Sequence, residues 1–338
     1  MRTFRIFSFT AMASAALALA QAPASAQGVT VYGRIVLSAN SVKTGDADDQ
    51  KQITDNASRL GFRGTEDLGG DMKAQFGLEM GLNADTGAST TPAYRNAYVA
   101  LGSGLGTVAL GRLDSANPTG SALYSQVTAI ASFAANDAGA TAIGTSMLNA
   151  RNRTSNSLGY MSPTWNGFNL RLRGYLRGAA ATPDVENGAK SLDVGLNYTA
   201  GALKAALGFG KDMRPGGLAD NEFDDKWQLG ARYDLGVVAP YMLYGRDRYE
   251  NTATSRRSVD YWIIGAKAIS GAHAVVLNLM QRDVQTSLTG KRRRWQAAYL
   301  YDLSKRTQLQ AFVDRDGVDS SQSNVAVRAF GAGIKHDF

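Results

Sequence analysis

The residues that could do catalytic or ligand-binding chemistry are few in this sequence. The chain has no cysteine, which excludes a disulfide scaffold, a thiol nucleophile and a thiolate metal site. Its two histidines, His273 and His336, have no serine or second metal ligand at catalytic spacing. Because no trio of nucleophile, base and orienting group can be assembled, we expect no enzyme active site, no cofactor and no bound metal.

Two short motifs imitate ligand-binding sites. The segment Gly104–Ala109 fits a dinucleotide fingerprint, but it lies between two predicted strands instead of opening a helix, so a hairpin turn is expected there. The acidic segment Asp46–Asp49 lacks the glycine and the terminal glutamate of a dedicated calcium loop. We interpret it as a solvated loop, with weak calcium binding left open.

The N-terminal residues have the pattern of a secretory signal peptide. Arg2 and Arg5 precede a mostly apolar stretch, which the small residues Ala24–Ala26 close. We expect cleavage before Gln27, leaving residues 27–338 as one domain. No later segment has the roughly eighteen consecutive apolar residues of a membrane helix. If the exported chain enters a membrane, it must span it without helices.

Turn-forming clusters recur along the rest of the chain. They begin 34–38 residues apart except for one interval of 59 residues. Together with the opening and closing stretches they divide the chain into eight hairpin-sized units, which predicts sixteen strands of about ten residues each. The clusters are Asp67–Asp71, Gly102–Gly106, Met161–Gly167, Thr199–Ala202, Asp234–Gly236, Ala268–Ala272 and Asp302–Arg306.

Between the turns, apolar and polar residues alternate with the period of a strand that has two different faces. In Met72–Met80, for example, Phe76 and Leu78 are on the apolar row, and Lys73 and Glu79 are on the charged row. A soluble β-sandwich gives the same alternation, with its apolar row inside. Periodicity alone leaves both folds open.

Three features favour a transmembrane barrel with its charged rows inside. The apolar rows are rich in alanine, glycine and tyrosine instead of large aliphatic residues, and the strand number is even and large, as closure without edges requires. Tyrosines also recur on the apolar row where strands approach the short turns, which is typical of a membrane–water boundary. These tyrosines are Tyr98, Tyr160, Tyr198, Tyr233 and Tyr301.

The sequence resembles the trimeric general porins of Gram-negative outer membranes along its whole exported length. The resemblance implies an all-β, sixteen-stranded antiparallel transmembrane barrel that passes small hydrophilic solutes by passive diffusion and assembles as a homotrimer. The matching motifs are Val29–Arg34, Ser58–Gly70, Arg95–Gly102 with Val108–Arg112, Asn156–Pro163, Leu303–Thr307 and Gly331–Phe338.

In that family the third loop folds into the barrel and narrows it. The long third unit supplies this loop here, from roughly Leu113 to Asn149, and a place inside the lumen explains its unusual length. The resemblance also implies a basic ladder on the wall that faces the loop. Its candidates are Arg34, Arg59, Arg95 and Arg153, with Arg112 and Glu79 as weaker ones.

An arginine cluster across a narrow water channel attracts anions and repels cations. The predicted loop has few opposing acids, namely Asp114 and Asp137. We therefore expect an anion preference, suited to small organic carboxylates or phosphate.

The resemblance also implies partners outside the pore. Phe338 closes a strand whose outward row is similar to the signal that the barrel-assembly machinery recognises. The run Lys291–Arg294 either contacts lipopolysaccharide phosphates or is a solvated strand end; a nucleic-acid partner is not expected for an exported protein.

Two competing classes stay open at this point: an outer-membrane barrel enzyme, such as a phospholipase or protease, and a secreted soluble β-protein, such as an adhesin or lectin.

Overall fold

The computed structural model describes residues 28–113, 153–175, 190–213, 223–252, 255–283, 291–319 and 326–338. None of these residues belongs to a helix long and apolar enough to cross a membrane. They form the strands β1 (Thr30–Thr44), β2 (Gln50–Asp55), β3 (Arg59–Gly69), β4 (Met72–Asn83), β5 (Ala88–Ser103), β6 (Gly106–Leu113), β7 (Thr154–Met161), β8 (Phe168–Tyr175), β9 (Lys190–Ala200), β10 (Leu203–Met213), β11 (Phe223–Tyr233), β12 (Val238–Thr252), β13 (Ser255–Ser270), β14 (His273–Asp283), β15 (Lys291–Asp302), β16 (Thr307–Asp319) and β17 (Val327–Asp337).

The strands close into one antiparallel barrel. Each strand pairs with its neighbours in chain order, and β17 returns to pair with β1. The segments β2 and β3 are two parts of one interrupted barrel strand, because β2 pairs with the second half of β1 and β3 pairs with its first half. The seventeen described segments therefore form the sixteen barrel strands that the turn spacing predicts.

The interruption between β2 and β3 has its own hydrogen bonds. The Asn56 amide donates to the Val36 carbonyl at 2.9 Å, and the Val36 amide donates to the Ser58 hydroxyl, also at 2.9 Å. Ala57 takes a positive φ of 67° between them. The Ala57 carbonyl is thereby released from the ladder and accepts a hydrogen bond from the side chain of Arg34 at 3.3 Å.

The two ends of the barrel differ in their connections. At one end, called here the turn end, seven connections of two to six residues join successive strands, and β1 begins and β17 ends there. Every predicted turn cluster overlaps one of these connections, including Gly102–Gly106, which joins β5 to β6 as a hairpin. The opposite end, called here the loop end, contains the longest connections, together with short ones such as those between β4 and β5 and between β12 and β13.

The two faces of the sheet have the polarity that a membrane barrel requires. On β14, Leu277 and Leu279 are more than half exposed, whereas Asn278 between them is buried. The same alternation runs through β15, where Trp295 and Tyr299 are exposed and Gln296 is buried. The apolar rows thus face outward and the polar rows inward, which is the reverse of a soluble β-sandwich.

Four of the five boundary tyrosines follow the prediction, and Tyr98 does not. Tyr160, Tyr198, Tyr233 and Tyr301 lie on outward rows near the turn end, with the Tyr198 ring 4.5 Å from that of Phe168. Tyr98 lies on the inward row of Asn96 and Ala100, and its ring crosses Gly77 on β4. It is therefore a lumen residue, and the boundary positions of β5 are taken by Val99 and Leu101.

Several predictions concern residues outside the described ranges. These are the signal peptide over residues 1–26 and the interior of the long loop, including Asp114 and Asp137. The signal peptide and the bounds of the exported domain, 27–338, remain predictions.

Candidate functional site: charges on the inner wall

A buried carboxylate on β4 gathers predicted arginines from two other strands. Glu79 is 5% exposed, and its Oε1 accepts a hydrogen bond from Arg95 Nε at 2.7 Å. Arg59 Nε lies 3.5 Å from the other carboxylate oxygen, which also accepts a hydrogen bond from the Tyr32 hydroxyl at 3.2 Å. The structure thus brings Arg59, Glu79 and Arg95 together on the inner face.

A glycine makes room for the tyrosine in this cluster. Tyr32, Gly61 and Glu79 lie opposite one another across β1, β3 and β4. A Cβ on Gly61 would come within 2.3 Å of the Tyr32 ring. Only a residue without a side chain therefore lets the ring cross β3 and place its hydroxyl on Glu79. The motif match did not identify Tyr32 as part of the site.

A β-bulge turns Arg95 toward the lumen. Glu79 pairs with Asn96, and the next residue, Met80, pairs with Tyr94, so Arg95 is the extra residue of the bulge. In a regular strand Arg95 would share the outward row of Ala97 and Val99. The bulge re-aims its side chain, a device common next to functional sites.

Two more arginines extend the cluster on the same face. Arg34 lies directly opposite Arg59 in the ladder between β1 and β3. Arg63, two residues after Gly61 on the same inward row, has its guanidinium 5.0 Å from the centre of the Tyr32 ring. The alternation of Arg59, Gly61 and Arg63 was visible in the sequence, but Arg63 was not singled out. We call Arg34, Arg59, Arg63, Arg95 and Glu79 the first wall.

The other predicted site residues are not part of this cluster in the described structure. Arg112 lies on the row of the exposed Val108 and Leu110, where it donates to the Tyr94 carbonyl at 2.9 Å and to the Ser155 hydroxyl at 2.8 Å. Arg153 immediately precedes β7 at the loop end. Asp114 lies outside the described residues.

The inner face of β8 to β16 holds a second set of charges, in buried pairs. Arg173 binds Asp193 directly across the β8–β9 ladder, with Nε 3.0 Å from Oδ2. Asp247 on β12 lies 3.3 Å from Lys226 Nζ and 2.6 Å from Arg282 Nη2. Lys226 and Asp247 are at most 2% exposed. These carboxylates and cations neutralise each other away from water.

The basic run in β15 completes this second set. Arg292 and Arg294 point inward, where Arg292 Nε donates to Asp316 at 2.8 Å and Arg294 Nε to Asp314 at 2.9 Å. Only Lys291 and Arg293 lie on the outward row, so the run does not form one basic surface. We call Arg173, Lys226, Arg282, Arg292 and Arg294, with Asp193, Asp247, Asp314 and Asp316, the second wall.

Further cations line the inner face near the turn end. Lys204 and Arg232 are direct neighbours across the β10–β11 ladder. Lys267 on β13 lies close enough to Arg232 and Lys335 to interact electrostatically with both. The sequence analysis did not name these residues as channel residues, although each lies on the inward row of its strand.

In the described ranges, no group of three or more histidine, cysteine, aspartate or glutamate side chains is placed to hold a metal ion. The acidic segment Asp46–Asp49 is part of the connection between β1 and β2.

The sequence and the fold of this chain are similar to those of known proteins. The family model for Gram-negative porins matches residues 11–321 of this chain. The chain belongs to this porin family. The porin is 30% identical over 310 residues to outer membrane porin protein 32 of Delftia acidovorans, covering 88% of this chain and 86% of that one. An outer membrane porin of Bordetella pertussis is 28% identical over 327 residues, covering 84% and 83% of the two chains.

Solved porin structures share the barrel. An anion-selective porin from Comamonas acidovorans superposes with a TM-score of 0.71 over 92% of this chain and 99% of that chain, at 24% identity. The trimer form of OmpT from Vibrio cholerae superposes with a TM-score of 0.68 over 92% and 99%, at 13% identity. The porin is thus an outer-membrane channel protein and not an enzyme. By the usual arrangement of such barrels, its turn end is periplasmic and its loop end extracellular.

Proposed function

We propose that the first wall determines the selectivity of the channel and gives it a preference for anions. The observation that carries the proposal is the cluster of arginines on this wall: Arg59 and Arg95 both lie against Glu79, and Arg34 and Arg63 lie beside them on the same inward face. Arginine keeps its charge at all relevant pH values. Within the first wall the arginines outnumber the carboxylate, and this excess of positive charge raises the local concentration of anions.

The charges of the second wall do not oppose the positive electrostatic field of the first wall. The five cations of the second wall face four carboxylates at ion-pair distance, and most of these groups are buried. Near the turn end, Lys204, Arg232 and Lys267 add further cations to the inner face, and Asp302 lies close enough to Lys267 to offset part of their charge. Small anionic or polar solutes, such as organic carboxylates and phosphate, are the class that the first wall favours.

The proposed constriction also includes the long loop. We propose that the segment from roughly Leu113 to Asn149 folds into the lumen opposite the first wall, as the family resemblance implies. Arg112 and Arg153 flank this segment, and Asp114 begins it. Arg153 and Asp114 are candidates for the rim of the constriction, whereas Arg112 lies on the outward row of β6; none of the three belongs to the first wall.

Assembly is proposed by likeness to relatives. The trimer form of the structurally similar OmpT supports a homotrimer. The barrel-assembly machinery is the proposed partner of the last strand, where Phe330, Ile334 and Phe338 all lie exposed on one outward row. Deleting Phe338 should lower the yield of folded barrel in the outer membrane, while refolding of the purified chain in detergent should proceed.

Reversal potentials of single channels in a potassium chloride gradient test the proposed selectivity. The porin should favour chloride, and the double variant Arg59→Gln with Arg95→Gln should have an anion-to-cation permeability ratio closer to one. Arg248→Gln is the matched control, because Arg248 is a charged residue on the outer face, paired with Asp225 at 2.8 Å. Cation selectivity of the unmodified channel would refute the charge argument. Unchanged selectivity in the double variant would place the filter elsewhere.

A further inference from the structure

The interruption between β2 and β3 contains one residue more than the strand beside it. Leu37 on β1 pairs with Asp55, and Arg34 pairs with Arg59. Two residues of β1 lie between these pairs, against the three residues Asn56–Ser58 on the other side. An extra residue of this kind is a β-bulge, a feature common next to functional sites. We call Asn56–Ser58 the β2–β3 bulge.

The extra residue changes which side chains of β3 face the lumen. On β2, the exposed Ile53 and its neighbour Asp55 lie on the outward row. Because side chains alternate strictly along a strand, an uninterrupted strand would place residues 57, 59, 61 and 63 on that same outward row. In the structure Arg59 instead faces inward opposite Arg34, and Phe62 is exposed on the outer face. One residue therefore exchanges the two faces of β3.

Arg59 and Arg63 both owe their place in the first wall to this exchange. On an uninterrupted strand both guanidinium groups would face outward, where charged side chains are unfavourable in hydrocarbon. Gly61 would leave the inward row as well, so the Tyr32 ring could not cross β3 to reach Glu79. The first wall thus depends on the register that the β2–β3 bulge sets.

Hydrogen bonds hold the β2–β3 bulge in one position. The Ser58 hydroxyl accepts a hydrogen bond from the Val36 amide at 2.9 Å, in place of a ladder carbonyl. The Asn56 side-chain amide donates to the Ser38 hydroxyl at 2.8 Å and to the Thr54 carbonyl at 3.2 Å. Asn56 and Ser58 are fully buried. A shift of the strand by one residue would separate these buried polar groups from their partners, which is costly.

The β2–β3 bulge also holds the arginine on the neighbouring strand. Ala57, at a φ of 67°, turns its carbonyl out of the ladder, and Arg34 Nε donates to this carbonyl at 3.3 Å. Arg34 is directly opposite Arg59, an arrangement that like charges disfavour. The carbonyl orients the Arg34 guanidinium without adding a negative charge to the first wall. The bulge therefore keeps two arginines side by side on the inner face.

We propose that Asn56, Ala57 and Ser58 are positioning residues that determine the selectivity of the channel. Their bulge turns Arg59 toward the lumen and holds Arg34 beside it, although none of the three carries a charge. Arg95 reaches the same face as the extra residue of the bulge on β5, so each arginine that contacts Glu79 depends on one extra residue in its strand. The inference rests on the proposed function of the first wall.

The first test removes a hydrogen bond of the bulge without changing any charge. Ser58→Ala leaves the Val36 amide without its acceptor and should loosen the bulge. The anion-to-cation permeability ratio, measured from reversal potentials in a potassium chloride gradient, should fall by up to about fivefold, the effect of one unit charge about 4 Å from a permeating ion in water. Ser162→Ala is the matched control, because Ser162, just after β7 at the turn end, is also buried and its hydroxyl accepts the Leu170 amide at 2.9 Å. This control should keep the ratio of the unmodified porin.

Position 57 gives a second test that does not involve a buried hydroxyl. A φ of 67° is unfavourable for a β-branched residue and easily adopted by glycine. Ala57→Val should therefore lower the anion preference, and Ala57→Gly is the conservative variant that should retain it. Unchanged ratios in Ser58→Ala and Ala57→Val would overturn the inference, and the proposed function would still stand if Arg59→Gln with Arg95→Gln lowered the ratio. An equal fall in Ser162→Ala would also overturn the inference, because any weakened hydrogen bond of the wall would then have the same effect.

Thiol labelling tests the register itself, independently of ion selectivity. The sequence has no cysteine, so Arg59→Cys and Leu60→Cys each introduce a single thiol. A charged, water-soluble thiol reagent should modify the folded barrel with Arg59→Cys and leave that with Leu60→Cys unmodified, because residue 60 lies on the outward row. Adding Ala57→Val should slow the first reaction and permit the second. Labelling that Ala57→Val leaves unchanged would overturn the inference, whatever the reversal potentials show about the first wall.

Discussion

The cations of the first wall and those of the second wall lie on the same inward face of one sheet but have different surroundings. In the first wall Arg59 and Arg95 keep 27% and 13% of their side-chain surface exposed and share Glu79. In the second wall Arg173 and Arg294 are almost completely buried, and each binds its own aspartate. Ion pairing and burial therefore separate the cations that we propose to act on permeating ions from cations whose charge is neutralised within the wall.

The physical reason for the difference is the cost of desolvation. A buried cation without a partner loses several kcal/mol relative to water, so the second wall supplies a carboxylate for nearly every cation. A cation beside channel water retains part of its hydration, and the protein can leave its charge uncompensated. An excess of positive charge is therefore tolerated only where water reaches the wall.

Breaking the second wall should have the largest effect on stability. Asp247→Asn removes the carboxylate shared by Lys226 and Arg282 and leaves two buried cations, which should cost about 3–5 kcal/mol of unfolding free energy. Urea unfolding of the refolded barrel, followed by tryptophan fluorescence, measures this loss. Asp260→Asn is the control, because its ion pair with Arg246 is exposed and should contribute no more than about 1 kcal/mol. Equal losses in the two variants would show that burial does not distinguish these pairs.

The sequence predicted the strands of the barrel and their inward rows better than the ion pairs on the inner face. The alternation of apolar and polar residues predicted the inward rows, and the turn clusters predicted the sixteen barrel strands. Both patterns depend on local sequence alone. The pairing of Asp247 with Arg282 joins residues 35 positions apart, and only the three-dimensional register brings them together. Buried pairs of this kind leave no local signal.

The first wall was predicted in part. The family resemblance placed Arg34, Arg59 and Arg95 on the lumen side, and the structure puts all three on the inner face. The bulge at Arg95 was not predictable: in the observed register, strict alternation would put Arg95 on the outward row of Ala97 and Val99. The same alternation, applied to Lys291–Arg294, would have divided that run between the two faces.

Changing the first wall should alter selectivity more than stability. Glu79→Gln removes its one carboxylate and raises the net charge by one, which should increase the anion-to-cation permeability ratio by up to about fivefold, the equivalent of about 1 kcal/mol for charges 4 Å apart in water. Reversal potentials in a salt gradient measure the ratio. Asp260→Asn, which neutralises a carboxylate on the outer face, should leave it unchanged. A fall in anion preference after Glu79→Gln would mean that Glu79 acts by positioning Arg95 and not by its charge.

Raising the salt concentration should weaken the effect of the first wall on selectivity more than the effect of the second wall on stability. The screening length falls from about 10 Å at 0.1 M to about 3 Å at 1 M salt. The anion preference, which acts through channel water, should therefore decline steadily over this range. The destabilisation by Asp247→Asn should change little, because buried pairs are screened much less. If both quantities decline together, water reaches the second wall as well.

The smallest effect is expected from the hydroxyl of Tyr32, whose contact with Glu79 joins β1 to the first wall. Tyr32→Phe removes one hydrogen bond of 3.2 Å to a carboxylate that keeps both arginines, so unfolding should lose only about 0.5–1.5 kcal/mol. Tyr244→Phe is the control, because its hydroxyl donates to Asp260 at 3.0 Å on the outer face. Both variants should lose similar stability, and only Tyr32→Phe should shift the reversal potential, by less than Glu79→Gln does. A shift as large as that of Glu79→Gln would mean that the position of the carboxylate, and not its charge, governs the field of the first wall.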